Sequence, residues 1–159
     1  DAVRETLVDS IEVGPQPSSL VLDRFGKLWT VTDGRTAGIP AALYRIDAAT
    51  RRVEQTYTFA AGDHPSSVTL NGTRDTLYFI NRDVWRMRVD AEELPVTPFL
   101  PYTQTTYYEV AVDPLTSEVY VADAIDYVQH GVVYRFTARG TAVDTIRVGI
   151  TPGSFCFKP

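Results

Sequence analysis

The sequence predicts an all-β chain assembled from repeated four-stranded units, and three observations carry that prediction. Val, Thr, Ile, Tyr, Phe and Trp supply 63 of the 159 residues, side chains that suit a pleated, half-buried surface and lose rotamer freedom in helices. The 10 Gly and 10 Pro are spread along the chain, as turns and linkers between short strands require. The chain also repeats itself. Ser19-Leu20-Val21-Leu22-Asp23, Ser67-Val68-Thr69-Leu70-Asn71, Glu109-Val110-Ala111-Val112-Asp113 and Ser154-Phe155-Cys156-Phe157-Lys158 align with steps of 48, 42 and 45 residues.

Each of the first three copies opens a unit of four strands, a to d. In the first, strand a at 19–23 turns through Asp23-Arg24-Phe25-Gly26 into strand b at 27–31, followed by strand c at 43–46 and strand d at 53–59. The second has strand a at 67–71, a turn at 71–75, then strands at 76–80, 84–87 and 96–100. The third has strand a at 109–113, a turn at 113–117, then strands at 118–122, 133–136 and 143–148. The turns hold the Asx, Gly and Pro residues that turn geometry selects. Strand c carries an aromatic-Arg pair in every unit: Tyr44-Arg45, Trp85-Arg86 and Tyr134-Arg135. Residues 7–14 match 142–149 at an offset of 135, the total of the three steps, so the chain opens with a lone strand d.

Four strands per 42 to 48 residues is the signature of a β-propeller blade. The expected architecture is about three and a half four-stranded antiparallel blades, part of a seven-bladed propeller, in one domain. The blades span roughly 15–60, 61–101 and 102–149, with strand d of a preceding blade at 5–14 and strand a of a following one at 152–158. An open arc leaves two apolar blade faces bare, which predicts self-association or further N-terminal blades. The start at Asp1, without Met or leader, reads as a piece of a larger chain.

Composition narrows the function classes. With 15 Lys+Arg against 20 Asp+Glu the net charge is −5, which argues against a nucleic-acid surface, where a concentrated basic patch is expected. One Cys excludes an internal disulfide and the common structural zinc sites. No run approaches the roughly eighteen apolar residues of a membrane helix.

The 44–53 run with its Tyr44-Arg45-Ile46-Asp47 start, then Gly62-Asp63-His64-Pro65-Ser66-Ser67-Val68, then Leu77-Tyr78-Phe79-Ile80-Asn81, resembles the YVTN repeat. In that repeat an "IDTATNTV" strand pair leads through "GxxPxxV" to "VYVTN". Gly14-Pro15-Gln16-Pro17-Ser18-Ser19 and Gly149-Ile150-Thr151-Pro152-Gly153-Ser154 repeat the linker, while 102–109 has neither its Gly nor its Pro. The resemblance covers essentially the whole chain and is to the C-terminal half of a YncE-like, seven-bladed propeller. It implies an exported protein of the periplasm or cell surface, possible lipid anchorage through a preceding segment, and, for some members, contact with single-stranded DNA. Propellers host lactonases, lyases, dehydrogenases and pure binders, so the repeat fixes no activity.

Propeller geometry sorts the loops by face. The a–b and c–d turns are short and generic, whereas the b–c loops and d–a connections at the other end are long and individual: 33–40, 101–108 and 123–131. Binding residues concentrate on such loops. The candidates there are Asp33, Arg35, Asp63, His64, Asn81, Arg82, Tyr102, Tyr107, Tyr108, Asp123, Asp126, Tyr127 and His130. Tyrosines combine stacking area with a hydroxyl, which suits sugars or peptides; alternatively they cap the inner strands and seal the channel.

His64 and His130 with Asp63, Asp123 and Asp126 are the groups a metal site or a general base would draw on, but neither histidine sits in a ligand-spaced pair, and solvated loop histidines are the simpler expectation. Ser18, Ser66 and Ser154 recur with the repeat and are expected to cap the entry into strand a. Cys156, between Phe155 and Phe157, reads as a small core residue. The strand-c arginines are expected to reach acids or carbonyls between blades. Asn71-Gly72-Thr73 matches a glycosylation acceptor but is also the expected a–b turn.

The favoured reading is a non-enzymatic, exported binding or scaffold module, with no cofactor and no catalytic residue. Its ligand would be a small molecule, glycan or peptide at the b–c and d–a face. The alternative is a fragment of a propeller lactonase, lyase or metal-dependent hydrolase with its site at the central channel.

Overall fold

The structure is a computed structural model and describes residues 3–103 and 106–158. Gln104 and Thr105 of the 101–108 loop, and Asp1, lie outside the described residues. The first sheet is a meander of β1 (Pro17–Leu22), β2 (Lys27–Thr32), β3 (Ala42–Asp47) and β4 (Arg52–Thr58). The second holds β5 (Ser66–Leu70), β6 (Thr76–Asn81) and β7 (Asp83–Arg88). The third runs β8 (Tyr107–Val112), β9 (Val119–Asp123), β10 (Val132–Phe136) and β11 (Ala142–Arg147). Each neighbouring pair is antiparallel. The innermost strands β1, β5 and β8 lie side by side around the inner edge of the arc. This is the all-β propeller architecture the repeat predicts.

Blade stacking explains the side-chain pattern. On β6, Leu77 and Phe79 face the first blade and join Trp29, Val31, Leu43 and Tyr57. The alternate residues Tyr78 and Ile80 face the third and join Val110, Val112, Val119 and Val121. A strand buried on both sides has no polar face, so 77–80 reads as a continuous apolar run. The outermost strand β11 is exposed along its length.

The a–b turns use one device three times. The Oδ1 of Asp23 accepts the Phe25 and Lys27 amides, that of Asn71 the Asp75 and Thr76 amides, and that of Asp113 the Leu115 and Thr116 amides. Asn71 Nδ2 donates to Thr73 and Asp75 as well, so its amide is fully committed to the turn. The second and third turns touch: a Cβ on Gly72 would stand 1.8 Å from the Pro114 carbonyl oxygen. Only glycine allows that approach.

Three expected strands do not form. Residues 96–100 make one bridge, Val84 to Leu100, because Pro95 and Pro98 interrupt the row of ladder donors. The second blade therefore has three strands. Residues 7–14 and 152–158 carry no strand, since a lone strand d lacks the strand c, and a lone strand a the strand b, that would pair with it. Both segments still lie against the blades. Asp9 pairs with Arg51 at 3.0 Å, and the Gly14 amide donates to Tyr44 Oη at 3.0 Å. Tyr120 meets the rings of Phe155 and Phe157 at 6.2 and 5.3 Å. With both phenylalanines turned to Tyr120, period-2 alternation points Cys156 outward, and it is exposed rather than core.

The strand-c arginines divide. Arg86 donates across blades to the Ala138 carbonyl at 3.0 Å, as expected. Arg135 instead makes a bidentate pair with Glu118 on the neighbouring strand's edge of its own sheet. Arg45 also stays in its own blade, 3.7 Å from Glu54 and 6.0 Å from the Trp29 ring.

Candidate functional site

A groove of about 530 Å³ lies where the inner strands begin, at the b–c and d–a end of the blades. That volume is within the usual range of small-molecule sites, about 300–1,000 Å³. Seven of the thirteen candidates line it: Arg35, His64, Arg82, Tyr102, Tyr107, Tyr108 and Tyr127. Arg35, Arg82 and Tyr127 come from the b–c loops of three successive blades. Asp33 joins Arg35 and His64 on a side pocket that shares Ser18 and Ser66 with the groove.

Local backbone geometry aims these side chains. Arg82 is the single residue linking β6 to β7 and has φ 60°, while Tyr127 has φ 64°. Left-handed conformations at non-glycine residues cost energy and persist only where the surrounding structure holds them. The Arg82 guanidinium lies 4.5 Å from the centre of the Tyr102 ring. Tyr108 and Tyr127 meet edge to face at 5.8 Å. Tyr107 also packs on the second core, so for this residue the strand-sealing role holds as well.

His64 is oriented by its Nδ1, 2.8 Å from the Asp33 carbonyl oxygen. A carbonyl can only accept, so Nδ1 carries the hydrogen and Nε2 is left toward solvent. The Asp33 carboxylate lies 3.6 Å from Arg35 Nε and accepts the Arg35 amide at 2.9 Å.

The other candidates are occupied elsewhere. Asp123 is buried, and its carboxylate accepts the Thr106 and Ile125 amides and the Tyr134 hydroxyl. Asp126 accepts the Gln129 and Val128 amides, which hold its carboxyl below the usual range. Asp63 closes a turn with Ala60 and, with Asn81, lines a separate cavity of about 150 Å³ beside Phe79 and Trp85. His130 faces the Val148 carbonyl at 3.0 Å, away from the groove. His64 and His130 do not converge, and among the described residues no three His, Cys, Asp or Glu side chains gather as metal ligands would.

Sequence reasoning missed Glu109 and the inner serines. Ser19 and Ser67 sit at positive φ, 57° and 52°, within bulges of β1 and β5. Ser19 Oγ accepts the Val68 amide at 3.1 Å, and Ser67 Oγ accepts the Val110 amide at 3.0 Å. The recurrent serine thus stitches each inner strand to the next, one residue along from the expected caps Ser18 and Ser66. In the third blade this position is Glu109, to which Ser67 Oγ donates. Burial pushes the Glu109 carboxyl up, opposed by the Ser67 and Val110 bonds. The signal was present in the repeat itself, as the one acidic residue at a position otherwise held by serine.

No protein-family model matches the chain, and no curated protein sequence matches it. Solved structures do. Hydrazine synthase of Kuenenia stuttgartiensis superposes with a TM-score of 0.71 at 13% identity, covering 94% of this chain and 42% of that one. A quinonprotein alcohol dehydrogenase-like protein from Bacteroides thetaiotaomicron gives 0.63 at 16% identity, covering 82% and 33%. A protein of unknown function from Bacteroides caccae gives 0.56 at 12% identity, covering 77% and 41%. The chain therefore spans a third to two-fifths of the length of these neighbours, and what it shares with them is the β-propeller fold.

Proposed function

We propose that this chain is a propeller binding module whose ligand lies in the groove at the b–c and d–a end. One observation carries the reading: single loop residues from three successive blades, Arg35, Arg82 and Tyr127, converge on one cavity with the entries of the inner strands. The acids an enzyme of this face would draw on, Asp63, Asp123 and Asp126, each commit one carboxylate oxygen to backbone amides and line no part of the groove. Kinship with the YVTN repeat, and with it export to the periplasm or cell surface, belongs to the same proposal. Its support is the 62–68 linker, which turns at Gly62 (φ 89°) and delivers His64, Ser66 and Ser67 to the groove.

Screening the chain on glycan and peptide arrays, followed by calorimetry on the best hit, tests the module. Replacing Tyr108 and Tyr127 together by Ala is expected to weaken that binding at least about tenfold, given about 1 kcal/mol per lost aromatic contact. Unchanged affinity in the double variant, or turnover of a lactone with no binding to any array, refutes it.

A further inference from the structure

We propose that the groove takes oligosaccharides bearing a carboxylate, with Arg82 contacting the acid group and Tyr108 and Tyr127 forming the surface on which a sugar ring lies. This rests on the groove being a ligand site and names the ligand class.

Charge selects an anion. The chain as a whole carries −5, yet the groove presents Arg35 and Arg82 against a single lining carboxylate, Glu109. Glu109 is partly buried and engaged by Ser67, and its burial favours the neutral form. Arg35 is held by Asp33. Arg82 differs: among the described residues no carboxylate lies within ion-pair distance of it, and its contact is the Tyr102 ring face. A guanidinium set over an aromatic ring keeps its planar fork of donors free at the edge, and that fork matches a carboxylate.

The remaining lining selects a sugar over an aromatic or aliphatic acid. An apolar acid needs an enclosed apolar slot, but this groove is open and ringed with hydroxyls from Ser18, Ser66, Thr106 and the tyrosines. Tyr108 and Tyr127 remain 38% and 54% exposed despite packing on each other. Partly exposed tyrosines beside many hydroxyl partners suit a ligand with C–H ring faces and hydroxyl edges. An acidic peptide such as a glutamate oligomer lacks the C–H ring face on which those tyrosines would stack.

Isothermal calorimetry decides between these. The probes are trigalacturonate, a glucuronate-containing tetrasaccharide of hyaluronan and a mannuronate trisaccharide, each with its methyl ester, and triglutamate as the acidic peptide. At least one uronate should bind about fivefold or more tightly than its ester, the gain expected of one partly exposed charged contact. Arg82→Gln should abolish the preference for the acid over its ester, with an unaltered circular-dichroism spectrum. Equal binding of acid and ester, uronate binding indifferent to Arg82→Gln, triglutamate matching the uronates, or binding confined to neutral glycans would each overturn the acidic-sugar assignment and leave the groove as a site. Failure of every probe, together with array binding indifferent to the Tyr108 and Tyr127 replacements, would remove both.

Discussion

Replacing Ser67 by Ala probes how the blades are held together. The Ser67 hydroxyl is buried, accepts the Val110 amide from the next inner strand and donates to Glu109. Alanine keeps the backbone shape and removes both bonds. A buried amide left without its acceptor costs about 1–3 kcal/mol, and the Glu109 carboxylate loses a donor in addition. The expected loss at neutral pH is about 2 kcal/mol, or roughly 4–8 °C in Tm for a chain of this size. Ser19→Ala is the internal comparison: the same bond to Val68 is made from an exposed serine and reaches no acid, so about 1 kcal/mol or less is expected. Because the Ser67 bond favours ionised Glu109, the Ser67→Ala penalty should be larger at pH 8 than at pH 4. Urea unfolding with unchanged m-values measures all three. Equal losses for the two serines, or a Ser67→Ala loss that does not grow with pH, would refute the stitching account.

Gly72→Ala would drive a Cβ into the Pro114 carbonyl; backbone on both sides cannot yield cheaply, so a loss on the order of 3 kcal/mol or more is expected by the same urea assay. Glu109→Gln tests the buried acid. Its folded pKa is raised, so its contribution is full below the ordinary Glu pKa of about 4.5 and is lost as pH rises through the folded value. The variant should therefore gain stability on the parent from pH 4 to 8; a constant difference would contradict this. The arc leaves apolar side chains bare on its first face, with Leu20 64% and Leu22 43% exposed beside a groove lined by Ile11, Val13, Leu28 and Ile46. Light scattering of the 159-residue chain should show concentration-dependent self-association, and a monomer at high concentration would count against the exposed-face reasoning.

The repeat made the architecture legible because a blade is a local object. Its strands are consecutive, its turns carry Asx residues that bond their own loops, and period-2 alternation marks the buried faces. That is why the eleven strands among the described residues stand where the alignment places them, and why the b–c and d–a ends could be named as the face that holds the groove. The lone end segments show where the pattern stops. Residues 7–14 and 152–158 have strand-like sequences, but a β-strand exists only with a partner to receive its hydrogen bonds. The 96–100 segment failed for a reason written in the sequence, the two prolines.

The site was only half legible. Sequence alone placed Arg35, Arg82 and Tyr127 in equivalent loops and so on one face. It could not separate them from Asp63, Asp123, Asp126 and His130, which share that face. What separates them is where each side chain finds hydrogen-bond partners: the carboxylates turn back onto nearby amides, whereas the long arginine and tyrosine side chains reach into the cleft between blades. Glu109 joins them because the inner strands lie edge to edge, which sets it against Ser67, 42 residues away. Local pairing follows from sequence, but distances between blades depend on how their faces stack. Only the tertiary structure decided which residues meet.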